Sequence, residues 1–342
     1  MKKSLLFLIL GLIVACANEG THVIPGTGSS LPSPTLMDDA QQKIVQFKQQ
    51  MLEKGVLSST DWESFISQVV YREDLIKTMD KPSTSKPWYV YKKISVTDPM
   101  VQGGISFYKE NEQVLKQVAK KTGVGAEYIV AILGIETRYG AFMGQDRVAD
   151  VLYTLSFYYP RREALFQKEL EQFFLMSKEA GRDLFSYKGS FAGAMGYPQF
   201  MPSSYRKWAV SYSKQEPADI WENKADAVAS VANYLQLHGW VKGQKVVYPV
   251  SLEITPELQT LIDEKTSLSH TVKELKEKGV NISVPLSDEE PVILFRLERA
   301  PGEYDYYVGL KNFYSIWDYN HSRHYVMAVE GIAEGIRQGI GK

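Results

Sequence analysis

The sequence predicts a mainly α fold of the α+β class, a helical body with a small β-containing subdomain inserted late in the chain. Three observations carry this. Apolar residues recur at helical spacing over 38–73, 103–140, 162–180, 225–238 and 324–337. From Gln244 to Gly309 the pattern changes. There Lys245-Val246-Val247-Tyr248-Pro249-Val250, Pro291 to Glu298 and Tyr304 to Leu310 alternate or cluster β-formers around a charged helical stretch at Thr271 to Lys278. Finally, no period of about 20 to 50 residues repeats, which excludes solenoids and propellers.

Composition permits such a body. The chain has 342 residues, 44% apolar and 12% aromatic, enough for a sizeable core and incompatible with disorder. Lys plus Arg number 39 against 40 Asp plus Glu, so there is no basic footprint for nucleic acid. The single cysteine, Cys16, rules out an internal disulfide framework and a thiolate zinc cluster.

The chain begins Met1-Lys2-Lys3-Ser4, followed by an apolar run from Leu5 to Val14 and then Ala15-Cys16. Two lysines before a short apolar run form a secretory signal, since spanning a bilayer takes roughly 20 apolar residues. Ile13-Val14-Ala15-Cys16 resembles a bacterial lipobox, in which the Cys sulfur takes a diacylglycerol and becomes the mature N-terminus. An ordinary signal with an incidental Cys is the alternative. The lipobox reading implies a membrane anchor through the N-terminal lipid, and Ala17 after the Cys implies the inner face of the outer membrane. From Ala17 to Leu36 the chain is rich in Gly, Pro, Ser and Thr, a flexible tether reaching on the order of 25 Å.

The expected organisation is therefore a signal at 1–15, a lipidated tether at 16–37, a helical core at 38–243, a β-containing subdomain at 244–310 and a C-terminal segment at 311–342. A Pro-rich stretch from Asp80 to Trp88 divides the first two helical regions, and Gly140 is a natural stop for the second.

Glu136 lies i+7 from Ile129, i+4 from Ile132 and i+3 from Leu133, so helical geometry puts a carboxylate on an apolar face. Desolvation, together with the negative end of the helix dipole, drives its pKa upward, towards the protonated acid that glycosidic cleavage needs. A buried ion pair with Arg138 or another cation is the competing reading. A second informative stretch, Lys188 to Tyr205, combines three glycines, two prolines and several aromatics in an ordered loop. No Asp or Glu occurs from Leu184 to Gln215. Neutral donors beside polar aromatics suit a sugar; a glycine-mediated packing corner would use the same residues.

Five ordered stretches together resemble one family. They are Gly134-Ile135-Glu136-Thr137-Arg138-Tyr139-Gly140; Thr154-Leu155-Ser156-Phe157-Tyr158-Tyr159-Pro160-Arg161-Arg162; the Gly189 to Tyr205 loop; Ser230-Val231-Ala232-Asn233-Tyr234 with His238-Gly239-Trp240; and Asn312-Phe313-Tyr314 with Tyr319-Asn320-His321. The chain is similar to the membrane-bound lytic murein transglycosylase B family, glycoside hydrolase family 103, from about Tyr91 to Ile336. This resemblance implies a lysozyme-like helical core with an added β subdomain, and cleavage of the β-1,4 bond between N-acetylmuramic acid and N-acetylglucosamine without water as nucleophile. Glu136 would be the one catalytic carboxyl, first acid and then base, closing a 1,6-anhydro ring.

By the same resemblance Ser190 and Gln199 would hydrogen-bond the sugars, Phe200 and Tyr234 would line the cleft, and Tyr319, Asn320 and Tyr325 would close it. Arg161 and Arg162 would meet stem-peptide carboxylates, which suits guanidinium forks, and Tyr91 would flank the substrate. For Tyr319, Tyr325 and Phe200 aromatic core packing is the competing reading. The implied partners are peptidoglycan strands and a cell-wall synthesis or remodelling complex, in the periplasm. A water-using muramidase and a non-catalytic lipid-anchored glycan binder are the rival functions.

Some family members carry an EF-hand-type calcium loop where this chain has Ser211 to Glu222. Here the first, third and fifth positions are Ser211, Ser213 and Gln215, and the sixth is Glu216 instead of Gly, so no metal and no cofactor are expected. Pro198 stands where a Gly is common and stiffens the loop before Gln199. Ser83-Thr84-Ser85-Lys86, Ser204-Tyr205-Arg206-Lys207 and Lys121-Thr122-Gly123 match short penicillin-binding patterns, but no Ser-Asp-Asn or Ser-x-Asn lies between Ser83 and Lys121, and Ser204 follows the Lys-Thr-Gly. His321 and His324 lack the Glu of a zinc-peptidase helix.

Overall fold

The computed structural model describes residues 34–80 and 86–341; Cys16, the signal and most of the tether lie outside them. Helix α1 (Pro34–Glu53) buries Ala40, Ile44, Phe47 and Met51, one stripe at helical spacing. The periodic region 38–73 is interrupted because Gly55 turns left-handed at φ 66° and Ser58 opens α2 (Ser59–Gln68) through a reciprocal capping box with Asp61. Then come α3 (Glu73–Met79), α4 (Trp88–Ser95) and α5 (Asp98–Glu110), the last capped by Thr97. Helix α6 (Glu112–Thr122) stops at left-handed Gly123, and α7 (Ala126–Thr137) follows.

A two-residue strand β1 (Asp146–Arg147) leads into α8 (Val148–Tyr158) and α9 (Glu163–Ala180). Strand β2 (Lys188–Gly189) pairs antiparallel with β1. The long loop then ends in an unforeseen helix, α10 (Pro202–Trp208), in which Pro202 is the first residue and not a breaker. Next is α11 (Lys224–Leu237). The late segment holds β3 (Val247–Val250), α12 (Pro256–Asp263), β4 (His270–Thr271), α13 (Val272–Glu277), β5 (Pro291–Ala300) and β6 (Glu303–Gly309). Two helices close the chain, α14 (Lys311–Trp317) and α15 (Arg323–Gly339). Among the described residues no helix is long and apolar enough to cross a membrane.

The described residues form two compact units. One comprises 86–139 and 231–341. At its centre α7, buried continuously from Tyr128 to Gly134, packs against α5 and α15. The sheet of this unit is antiparallel in the order β3-β6-β5-β4. One face encloses its own core with α12 and α13, from Leu258, Ile262, Val272, Leu275, Leu294 and Val308. On the other face Phe295 lies 4.7 Å from the ring of Phe313 on α14. Four-stranded pairing plus two helices is what lets so short a segment bury a core.

The second unit comprises 34–80 and 140–230. Helix α8 is buried on nearly every side and is covered by α1, α3 and α9. An aromatic cluster fills the space: Phe65 meets Phe174 edge-on at 4.9 Å, and Phe157 meets Phe47 at 5.5 Å.

Candidate active site

The residues singled out by sequence divide between the two units. In the first, Glu136 sits one residue before the end of α7 and is partly buried. Desolvation pushes its carboxyl up to about 7, opposed by one hydrogen bond that favours the ionised form: the Tyr325 hydroxyl donates to Oε1 at 2.6 Å. Arg138, the competing ion-pair partner, is exposed. Burial and a neutral phenol set this carboxyl's titration.

Tyrosines surround it. Tyr325, 1% exposed on α15, stacks parallel to Tyr319 at 6.4 Å, and Tyr319 meets Tyr234 edge-on at 4.7 Å. The Tyr234 hydroxyl donates to the Asp318 carbonyl at 2.7 Å, and its ring stacks 3.8 Å from His238. Tyr91, on α4, also faces Glu136, and its ring lies 5.6 Å from His324. Asn320, 7% exposed, follows Tyr319 in the turn between α14 and α15. The phenols of Tyr91, Tyr319 and Tyr325 are all pushed up by burial and by the Glu136 charge, so they stay protonated donors. Asp318, pushed up to about 6 by burial, lies behind Tyr234.

The end of α7 is strained. Arg138 and Tyr139 both take left-handed conformations, φ 48° and 61°, before Gly140. Non-glycine residues resist this region, so surrounding contacts must hold it. The Arg138 N–H donates to the Gly134 carbonyl at 2.8 Å and the Tyr139 N–H to Leu133 at 3.2 Å. The Tyr139 ring then enters a space that exists because Gly103, Gly104 and Gly134 lack side chains: an added Cβ would meet it at 2.7, 2.8 and 2.5 Å. Its hydroxyl donates to the Met100 carbonyl at 2.6 Å. Sequence reading missed Tyr139, although two adjacent glycines inside a helix were the signal.

In the second unit the loop residues are bonded largely to their own loop. Ser190 Oγ accepts from the Ala194 and Ala192 N–H groups at 3.1 and 3.3 Å. Gln199, at φ 52°, donates its side-chain amide to the Gly196 and Met143 carbonyls at 2.9 and 3.3 Å. Those bonds use the NH2 group and leave the amide oxygen outside them. Phe200 is 3% exposed and bridges Met195 through the backbone. Arg161 and Arg162 lie in a 3-10 turn after α8; the Arg161 side chain is 72% exposed and pairs with Asp80 at 3.1 Å.

The stretch 211–222 is closed by protein groups. Asp226 accepts from the Tyr212 and Asp219 N–H groups at 2.8 Å each, and Asp219 accepts from the Trp221 and Glu222 N–H groups at 3.0 Å. Among the described residues no three His, Cys, Asp or Glu side chains converge as a metal site.

A helical body with a β-bearing subdomain, and a desolvated carboxyl at a helix end ringed by phenols, is the arrangement of a lysozyme-like protein. Residues 39–334 match the family described as Transglycosylase SLT domain. The chain is 36% identical to the membrane-bound lytic murein transglycosylase B of Escherichia coli, over 95% of this chain and 94% of that protein. Among solved structures, the soluble lytic transglycosylase SltB1 of Pseudomonas aeruginosa is similar at TM-score 0.82 and 34% identity, covering 88% of this chain and all of that one. An Escherichia coli lytic transglycosylase in complex with bulgecin A gives 0.76 at 36% identity, covering 89% of this chain and 94% of that one. Pseudomonas aeruginosa SltB3, in complex with NAG-anhNAM-pentapeptide, gives 0.74 at 27%, covering 87% and 80%. The chain belongs to the SLT-domain lytic murein transglycosylase family.

Proposed function

We propose that this enzyme cleaves the MurNAc-β-1,4-GlcNAc bond of peptidoglycan by a single-carboxyl mechanism centred on Glu136. The carrying observation is a carboxyl held near pKa 7 by burial, with a phenol at 2.6 Å and, among the described residues, no second carboxylate contributing to its titration. As acid, Glu136 protonates the glycosidic oxygen and the C1–O bond breaks. The substrate's 2-acetamido group supports the cationic carbon. As carboxylate, Glu136 then takes the proton of the muramyl 6-hydroxyl, and O6 closes on C1 to give the 1,6-anhydro ring. A pKa near neutrality suits a group that must give and then accept a proton. Tyr325 lowers the cost of the charged state between these steps.

Ser190, Gln199, Phe200, Tyr91, Tyr234, Tyr319 and Asn320 are assigned to the glycan, and Arg161 and Arg162 to stem-peptide carboxylates. The bound NAG-anhNAM-pentapeptide of a relative supports both substrate and product class. The membrane-bound name of the Escherichia coli relative supports an envelope location; Cys16 is assigned as the lipid attachment point, holding the enzyme at the inner face of the outer membrane.

Mass spectrometry of sacculi incubated with the enzyme tests the chemistry. Anhydromuropeptides, lighter by one water than muramidase products, are expected. Reducing-end muropeptides identify a hydrolase instead, and retention on sacculi without soluble product identifies a binder.

A further inference from the structure

The first turn of α15 carries three consecutive residues that each hold a different neighbour in the same unit. Tyr325 donates to Glu136 of α7. His324 packs on Trp88 and Tyr91 of α4, at 5.9 and 5.6 Å between ring centroids. Arg323 reaches the β-bearing subdomain: Nη1 donates to the Ile262 carbonyl at 2.9 Å, Nη2 to the Glu264 carbonyl at 2.8 Å and Nε to Thr266 Oγ1 at 3.0 Å. Its guanidinium also lies 5.9 Å from the ring centre of Phe295 on β5.

This placement is against the local electrostatics of α15. Arg323 is the first residue of a 17-residue helix, where the positive end of the dipole disfavours a cation, and desolvation pushes its own pKa down. What holds it is the C-terminal end of α12, whose carbonyls form the negative end of that helix. Three acceptors from three residues match the three faces of one planar fork, which a lysine ammonium cannot reproduce.

We propose that Arg323 is a positioning residue: by locking the first turn of α15 onto α12 and β5, it holds the Tyr325 hydroxyl against Glu136, which makes the β-bearing subdomain part of the acid–base machinery. The inference rests on the reading of Glu136 as the catalytic acid and base. Arg323 and Tyr325 lie within a single helical turn, whose cap Ser322 Oγ accepts from the Tyr325 N–H at 3.3 Å. A turn released from α12 can move by fractions of an ångström, and a bond of 2.6 Å does not survive much displacement. Within this unit the titratable groups facing Glu136 are Tyr325 from α15, Tyr319 from the turn after α14 and Tyr91 from α4.

The test is the pH–rate profile of glycan-strand cleavage for Arg323→Ala, Arg323→Lys, Tyr325→Phe and the Arg323→Ala/Tyr325→Phe double variant, with thermal melts alongside. Removing the Arg323 fork should move the alkaline limb to higher pH, in the direction set by Tyr325→Phe. It should lower kcat about tenfold with KM changed less than about twofold, the cost of one lost charge-assisted bond in the reacting state. The double variant should shift no further than Tyr325→Phe alone, and Arg323→Lys should restore only part of the loss. A folded Arg323→Ala with the wild-type limb, or a shift that adds to that of Tyr325→Phe, overturns the proposal. If Arg323→Ala does not fold, a folded Arg323→Lys with wild-type limb and kcat overturns it equally. Glu136→Gln, run in parallel, separates the two levels: its retained turnover removes the reading of Glu136 itself.

Discussion

The Tyr325 hydroxyl and Glu136 Oε1 are 2.6 Å apart although their residues are separated by 189 positions in sequence. Two helices must therefore be registered against each other to within a few tenths of an ångström for this bond to exist. The apolar interface of α7 with α15 supplies the bulk of the attraction without specifying that register, because apolar packing is not directional. Polar contacts at its two ends do specify it. At one end is Glu136 with Tyr325; towards the other, the Tyr128 hydroxyl donates to Glu330 at 2.8 Å.

The bond predicts a pH response. Glu136 must be protonated for the first proton transfer, and its carboxyl sits at about 7, so cleavage should decline as pH rises through that value. Tyr325 favours the ionised form, so Tyr325→Phe should raise the carboxyl's pKa and move the alkaline limb upward by about one pH unit. Rates of muropeptide release from pH 5 to pH 9 measure it. A limb that moves to lower pH contradicts the assignment of the bond.

Glu136→Gln should abolish release while leaving binding to sacculi nearly intact. It should also change stability in a pH-dependent way. The carboxyl rises from its ordinary value of 4.5 to about 7 on folding, so the native state binds the extra proton between those values and wild-type stability falls as pH rises through that window. A neutral amide avoids the cost. The variant should gain nothing at pH 4 and up to about 3 kcal/mol at pH 8, a ceiling reduced by the partial exposure of the side chain. Urea melts at the two pH values decide it, and equal gains at both would place the effect elsewhere.

How legible all this was depended on where the information lay. Helices α9, α11 and α15 and strands β3, β5 and β6 follow from local periodicity, and the structure places them within two residues of the expected bounds. Helix α8 was invisible because Val148–Tyr158 is buried on nearly every side, which erases the amphipathic signal. Helix α10 was hidden by Pro202, which reads as a breaker unless it is recognised as a first-turn residue. Glu136 stood out because a carboxylate among Ile129, Ile132 and Leu133 is costly wherever the chain goes. Its partner Tyr325 could be suggested by resemblance but not by local pattern, since the bond is made in three dimensions only. The self-bonding of Ser190 and Gln199 was equally out of reach: their donors and acceptors are backbone groups, and no side-chain pattern announces those.

The glycine cradle around Tyr139 predicts a large effect from a small change. In Gly134→Ala the new methyl would lie 2.5 Å from the Tyr139 hydroxyl oxygen, well inside contact distance. The ring must then move, breaking its bond to Met100 and releasing the left-handed residues that end α7 next to Glu136. We expect a loss of about 2–3 kcal/mol from overpacking, despite the better helix propensity of Ala, and a fall in turnover greater than the fall in folded fraction. Thermal denaturation with activity per folded molecule checks both parts; a stabilised variant would mean the cradle has room.

Gln199 offers the sharpest separation of a structural from a substrate role. Its side chain donates to two loop carbonyls and its backbone is left-handed at φ 52°. Gln199→Ala keeps the backbone strain and removes both bonds, so it should cost about 1–2 kcal/mol and sensitise the 189–199 stretch to proteolysis. Gln199→Gly removes the same bonds but relieves the left-handed conformation, whose cost for an L-residue is about 1–2 kcal/mol. Glycine should therefore be the more stable of the two, the reverse of their order in a helix. If the Gln199 side chain served the substrate alone, Gln199→Ala would raise KM with its melting point unchanged, and only Gln199→Gly would shift the melt, upward through the relieved backbone. Melts and steady-state kinetics on the same preparations distinguish the cases.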